Sequence, residues 1–288
     1  MVHGRLWRIT TDGIILSDAR REYIQPPFEA VVNDLVGAVA ANIGADAHSI
    51  YVTGSIARGL AVPGESDANV FAVLTETSDP ELVRQDWIGP AEAAAVERHA
   101  CISDAQIELW PYGYVFGSPD RFSIGGFIVR THSVCLWGSD LANELPDYRL
   151  GPAIPNDDIV QLQLDLEEAS AEIRADAGPE NVRYWCRRIM KNILRAGFGL
   201  VMLEEGIFTR DIDLCCEVFG RHHSDHAADM RRTLAYARQP STNAGEVLTF
   251  LDSWGSWMIR QADIWLDRHN PHRDLALLVD DIAEPEDE

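Results

Sequence analysis

The stretch from Tyr51 to Leu74, YVTGSIARGLAVPGESDANVFAVL, leaves the chain few ways to fold. Ile50-Tyr51-Val52-Thr53 is a short β-branched and aromatic run that reads as a strand, and it stops at Gly54-Ser55, where the chain has to turn. Gly54 admits positive φ and a close backbone approach to a ligand, while Ser55 supplies a hydroxyl and opens a helical turn whose free N–H groups favour an anion. Arg58 follows near the same face of that turn and carries a planar donor fork suited to phosphate. Gly59, Pro63 and Gly64 break the chain, and Ser66 to Leu74 then reads as a second strand. Residues two apart on a strand share a face, so Asp67 and Asn69 point to one side and Ala68 and Val70 to the other. Two oxygen-bearing side chains thus converge on one spot.

Composition narrows the partners. The formal charge of −22 leaves little basic surface for neutralising phosphates, which argues against nucleic acid as a partner and favours a cationic small molecule. An apolar content of 46% in 288 residues is ample for a packed core. No window approaches 18 uncharged apolar residues and the N-terminus lacks a basic-then-apolar signal segment, so a soluble cytoplasmic protein with no membrane association is expected. Five cysteines, Cys101, Cys135, Cys186, Cys215 and Cys216, lie mostly in apolar runs and read as reduced core thiols.

The rest of the chain supports that stretch. Pro26-Pro27 introduces a helical pattern through Ile43, with Phe28, Val31, Val32, Leu35 and Val39 on one stripe and Gly44 as the stop. Ser78-Asp79-Pro80 reads as the cap of a helical stretch reaching Cys101, interrupted near Gly89-Pro90. A strand with Glu108 follows, then a helix from Pro119 to Thr131 and an apolar segment from Val134 to Leu141. Three prolines without periodicity between Leu145 and Asp158 mark a domain boundary.

Beyond it the pattern is helical, and a bundle is the natural way to bury several stripes. Ile159, Leu162, Leu166, Ala169 and Ile173 form one; Gly178-Pro179 ends that helix. On the next helix, to Glu205, Arg183, Arg187, Lys191 and Arg195 recur every four residues, a sector that reads either as a phosphate-facing surface or as salt bridges to acidic neighbours. Thr209-Arg210-Asp211 reads as a helix start, and Asn243 to Asp267 as a tryptophan-rich amphipathic helix whose apolar stripe is interrupted by the polar Gln261. His222, His223 and His226 near Asp225 and Asp229 lack the spacing of a metalloprotease and read as a surface turn.

Gly54-Ser55-x-Ala57-Arg58-Gly59, followed by Ser66-Asp67-x-Asn69, resembles the nucleotidyltransferase superfamily that includes DNA polymerase β, whose pattern is Gly-Ser and then Ser-Asp-x-Asp-hydrophobic. The second family aspartate is Asn69 here. A third carboxylate belongs on a later strand, and Glu108, about 40 residues on, suits it. Val134 to Leu141 resembles a Leu-Tyr-Gly-x-Asp-Leu stretch of aminoglycoside-type nucleotidyltransferases, and the layout beyond it loosely resembles the helical domain of streptomycin/spectinomycin adenylyltransferases.

The resemblance implies an α+β fold: a nucleotidyltransferase domain over residues 1–148, with a mixed sheet flanked by helices, and an all-helical bundle over 149–275; the charged run DDIAEPEDE makes 276–288 read as an acidic, disordered tail. It implies transfer of a nucleoside monophosphate, AMP from ATP foremost, to a hydroxyl of a small-molecule acceptor such as a cationic aminoglycoside. Two Mg²⁺ ions would be held by Asp67, Asn69 and Glu108, with Glu108 either a metal ligand or the base for the acceptor hydroxyl. Gly54, Ser55, Arg58, Ser66, Arg187 and Lys191 would hold the nucleotide. An amide at position 69 leaves a catalytically impaired nucleotide-binding regulator open, and a transferase acting on protein or tRNA, as toxin–antitoxin relatives do, is the further alternative. Monomer and homodimer both remain open.

Overall fold

The computed structural model describes residues 4–78, 83–118 and 121–277. The chain is α+β and divides into two compact units, Thr10–Tyr148 in one and Arg149 onward together with the segment through Ile9 in the other.

In the first unit, α1 (Phe28–Ile43), β1 (Ala47–Thr53), α2 (Gly54–Ala57), β2 (Asp67–Leu74), α3 (Ile88–Arg98), β3 (Asp104–Trp110), α4 (Tyr112–Phe116), α5 (Ile124–His132) and β4 (Val134–Gly138) succeed one another. The strands form a mixed sheet of order β3-β2-β1-β4, with β1 antiparallel to both neighbours and β2 parallel to β3. A parallel pair needs a crossover, and α3 lies in the one that joins β2 to β3.

Period-two alternation gives the sheet two apolar faces. Ile50, Val52, Ala68, Val70, Ala72, Leu74, Ala105 and Ile107 pack with Val31, Val32, Leu35 and Val39 of α1. Tyr51, Phe71 and Val73 pack on the other side with Val115 of α4 and Val129 of α5. Phe28–Asp46 is long and apolar enough by composition to cross a membrane, and its buried residues Val31, Val32, Leu35 and Val39 are those that cover the sheet. On β2, the face that is apolar at Phe71 and Val73 is polar at Asp67 and Asn69, so hydrophobic cover is needed only over the later half of the strand.

Several boundaries differ from those the periodicity predicts. The Gly89-Pro90 break is the start of α3 rather than an interruption, because proline fits the first turn, where no intrahelical N–H is required. Helix α5 begins at Ile124, since Ser123 caps it by accepting from Gly126 N at 3.0 Å. The expected cap at Asp79-Pro80 and the expected helix start at Pro119 lie outside the described residues.

The Gly138-Ser139-Asp140-Leu141 stretch closes the unit. Buried Tyr51 donates its hydroxyl to Asp140 Oδ1 at 3.2 Å and accepts from Leu141 N at 2.8 Å, and burial pushes the phenol pKa up. Gly138 has φ +79° and pairs with Ser49, where an added Cβ would collide with the His48 carbonyl oxygen and stand 2.9 Å from Ser49 Cα. Both obstacles are backbone, so Gly138→Ala is expected to cost about 3 kcal/mol or more. The midpoint of a thermal melt followed by circular dichroism should fall by roughly 6–12 °C.

The second unit is helical: α6 (Ala153–Val160), α7 (Leu162–Ala175), α8 (Pro179–Glu205), α9 (Ile212–His222), α10 (Ala227–Arg238), α11 (Ala244–Phe250) and α12 (Ser256–His269). Helix α8 carries a nearly continuous buried stripe, including Val182, Cys186, Ile189, Met190, Ile193 and Leu194, and α6, α7, α9, α10 and α12 pack around it. The N-terminal segment joins this unit rather than the first: Trp7 N donates to Phe208 O at 2.9 Å and the two rings meet edge-on at 5.2 Å. The tryptophan-rich stretch is not one regular helix: a π turn, Leu251–Gly255, separates α11 from α12, and Trp254 within it is buried and stacks on Trp257 at 5.0 Å. His222 bonds Glu205 at 2.7 Å and His226 packs on Trp257 at 4.0 Å. Cys186, Cys215 and Cys216 are buried free thiols, while Cys101 and Cys135 are partly exposed. The tail from residue 278 lies outside the described residues.

Candidate functional site at the start of the second strand

Strand register brings the glycine-serine turn against the polar end of β2. Thr53, the last residue of β1, pairs with Asn69, so the turn that follows begins beside that side chain. Gly54 has φ +78°, and a Cβ there would stand 3.5 Å from Asn69 Nδ2, ordinary van der Waals contact that sets the amide nitrogen beside the turn. Ser55 is partly exposed and its carbonyl accepts from Leu60 N at 2.9 Å; Ile56 and Ala57 are buried and anchor the short helix. Asn69 Oδ1 is buried and, among the described residues, has no hydrogen-bond partner. A buried acceptor without a donor is uncommon enough to require an account.

The residues flanking the turn have structural tasks. Arg58 is only 4% exposed and its Nε donates to Asp18 Oδ2 at 2.7 Å, while Arg20 N donates to Ala57 O at 3.0 Å; together they bind the preceding loop to the turn. The guanidinium expected from the sequence to grip phosphate is thus buried and holds Asp18 through Nε. Ser66 Oγ accepts from Val62 N at 2.9 Å and Ser66 O from Ser103 N at 2.9 Å, which closes the loop into β2 and sets where β3 begins.

Parallel pairing sets Asp67 opposite Asp104, Asn69 opposite Gln106 and Phe71 opposite Glu108. Paired residues share a face, so Asp67, Asn69 and Glu108 all project from one side of the sheet. They are not equally close. At the spacings of a parallel sheet, Glu108 stands about 8 Å from Asn69 between Cα atoms and about 14 Å from Asp67. Among the described residues no three His, Cys, Asp or Glu side chains cluster as a metal group. Arg187 and Lys191 are partly buried on α8, in the other unit. Arg183 of the same sector bonds Glu180, three residues earlier on the same helix, at 3.0 Å.

Glu108 is exposed, yet both its oxygens are engaged: Gln106 Nε2 donates to Oε1 at 2.8 Å and Trp110 Nε1 to Oε2 at 2.7 Å. Glu92 of α3 accepts from Ile107 N at 2.7 Å on β3; burial, with Asp104 and Glu108 nearby, raises its pKa against that hydrogen bond. Asp104, Gln106 and Trp110 have places here that reading by motif passed over. Their signal was the alternation of Asp104, Gln106, Glu108 and Trp110 at every second position, which puts all four on the face of Asp67.

The oxygens of Asp67, Asn69 and Glu108 are hard donors, and the unpartnered Asn69 Oδ1 has the chemistry to accept a cation such as Mg²⁺. No protein-family model matches the chain, and no curated protein matches it.

Proposed function

We propose that this chain transfers a nucleoside monophosphate, AMP from ATP foremost, to a hydroxyl of a small cationic acceptor. The observation that carries the reading is the juxtaposition of the Gly54 turn with Asn69: the turn abuts a side chain whose buried amide oxygen has no hydrogen-bond partner among the described residues, with Asp67 on the same face. The resemblance of Gly54-Ser55 and Ser66-Asp67-x-Asn69 to the polymerase β superfamily supports it, as does the charge of −22, which would draw a cationic acceptor.

In this reading Asp67 and the Asn69 amide oxygen hold Mg²⁺, which when bound would draw charge from the triphosphate and stabilise entering and departing oxygens. Gly54 and Ser55 offer backbone N–H and hydroxyl donors to the terminal phosphates. Glu108, already oriented by two donors, accepts the proton of the acceptor hydroxyl. The acceptor oxygen then bonds to the α-phosphorus, the bond from that phosphorus to the bridging oxygen breaks, and pyrophosphate leaves. A second reading, nucleotide binding without turnover, is favoured by the amide at 69, which supplies a dipole where a full charge would concentrate cations better.

Pyrophosphate release discriminates between them. With each NTP, Mg²⁺ and a panel of aminoglycosides and other cationic alcohols, release should require all three components and be largest with ATP. Tight ATP binding with no release, for both the chain and Asn69→Asp, would overturn transfer in favour of the binding protein.

A further inference from the structure

The hydrogen bond from Trp110 to Glu108 ends a stack of aromatic rings that crosses the sheet. Tyr51 is fully buried, its hydroxyl bonded to Asp140 and Leu141, and its ring lies 5.1 Å from Phe71 at 13°. Phe71 in turn stacks on Trp110 at 3.7 Å and 15°. On the far side Tyr114 meets Trp110 edge-on at 5.1 Å and 77°. A ring held in this way cannot turn its N–H elsewhere without breaking contacts on both sides, so the direction of the donor is set by the core of the sheet.

We infer that Trp110 is a positioning residue for Glu108, aiming the carboxylate from an aromatic ladder anchored at Tyr51; the inference rests on the transfer reading above. An exposed glutamate samples many rotamers, and a base or ligand on a long stem is effective only in a few of them. The Trp110 indole fixes one oxygen and the Gln106 amide the other, so the carboxylate plane is defined while each oxygen retains a lone pair for the reaction. The ladder links an otherwise buried sheet core to the orientation of a surface carboxylate. It also accounts for an indole at the end of an edge strand, where its polar N–H needs an acceptor.

Trp110→Phe keeps the ring and its stack on Phe71 but removes the N–H. In the full chain carrying Asn69→Asp, it is expected to lower kcat about tenfold or more while leaving the KM for ATP within about twofold, because a lost hydrogen bond to a charged group acts on the reacting carboxylate and not on nucleotide grip. A measurement independent of activity accompanies it. The Trp110 indole N–H resonance, identified by its absence in the Trp110→Phe spectrum, should move clearly in Glu108→Ala of the wild-type chain. An unmoved resonance, or an unchanged kcat in an active chain, overturns the positioning role. If no form of the chain releases pyrophosphate, the transfer reading fails, and the indole resonance still decides whether Trp110 aims Glu108.

Discussion

Asn69→Asp is expected to tighten Mg²⁺ binding in the presence of ATP and to raise pyrophosphate release by about a hundredfold or more. Asn69 Oδ1 is buried and has no partner among the described residues, so a carboxylate oxygen in its place would meet a cation with full charge rather than with a dipole. A unit charge about 3 Å from a divalent ion gains on the order of 10 kcal/mol at an effective dielectric of 20. Desolvation of the new carboxylate and repulsion from Asp67 take back most of this, and a surplus of about 3 kcal/mol is already more than a hundredfold. The same repulsion gives a readout without turnover. In chelator the variant should melt below the wild type, and Mg²⁺ with ATP should raise its midpoint more than that of the wild type. Titration calorimetry for Mg²⁺ and a pyrophosphate assay check both arms. Equal Mg²⁺ affinity in the two chains would remove position 69 from the cation site.

What could be read from the amino-acid sequence is what local periodicity controls. The alternation along Asp67 to Leu74 fixed which side chains share a face, and Gly54 marked the one place where the chain could turn tightly against it. Helix α1 and the stripe of α8 followed from spacings of three and four, because burial of one face decides both. What escaped depends on residues distant in the chain. Nothing near Arg58 announces that Asp18, 40 positions earlier, will take its guanidinium and bury it. The register that sets Glu108 opposite Phe71, and Asp104 rather than Glu108 opposite Asp67, is fixed by the loop closures at Ser66 and Ser103, which no pattern of hydrophobicity encodes. The π turn at Leu251–Gly255 was missed for a related reason: one extra residue in a helix disturbs the apolar stripe only slightly while turning Trp254 into the core.

Asp67→Asn, introduced into the Asn69→Asp chain, is expected to abolish transfer, with a loss of at least about a thousandfold, and to weaken Mg²⁺ binding in parallel. The substitution conserves volume and removes one charge, so β2 keeps its pairing with β1 from Thr53 to Ala47 and with β3, and the far-UV spectrum should not change. The informative control is Asp104→Asn. Asp104 is exposed and lies directly across from Asp67, and two carboxylates facing one another on adjacent strands are unfavourable unless something positive lies between them. If the cation is held along β2, by positions 67 and 69 with Glu108 on the same face, Asp104→Asn should change kcat/KM less than about threefold, since it removes an exposed, solvent-screened charge that does not ligate the cation. If instead Asp104→Asn costs as much as Asp67→Asn, the cation lies across the strands and not along one of them. Position 69 would then bear on the nucleotide through its contact with Gly54 rather than through metal, and Asn69→Asp would lower ATP affinity. The pair of variants therefore separates two geometries that share one sheet face, and it does so with measured affinities for Mg²⁺ and ATP as well as with rates.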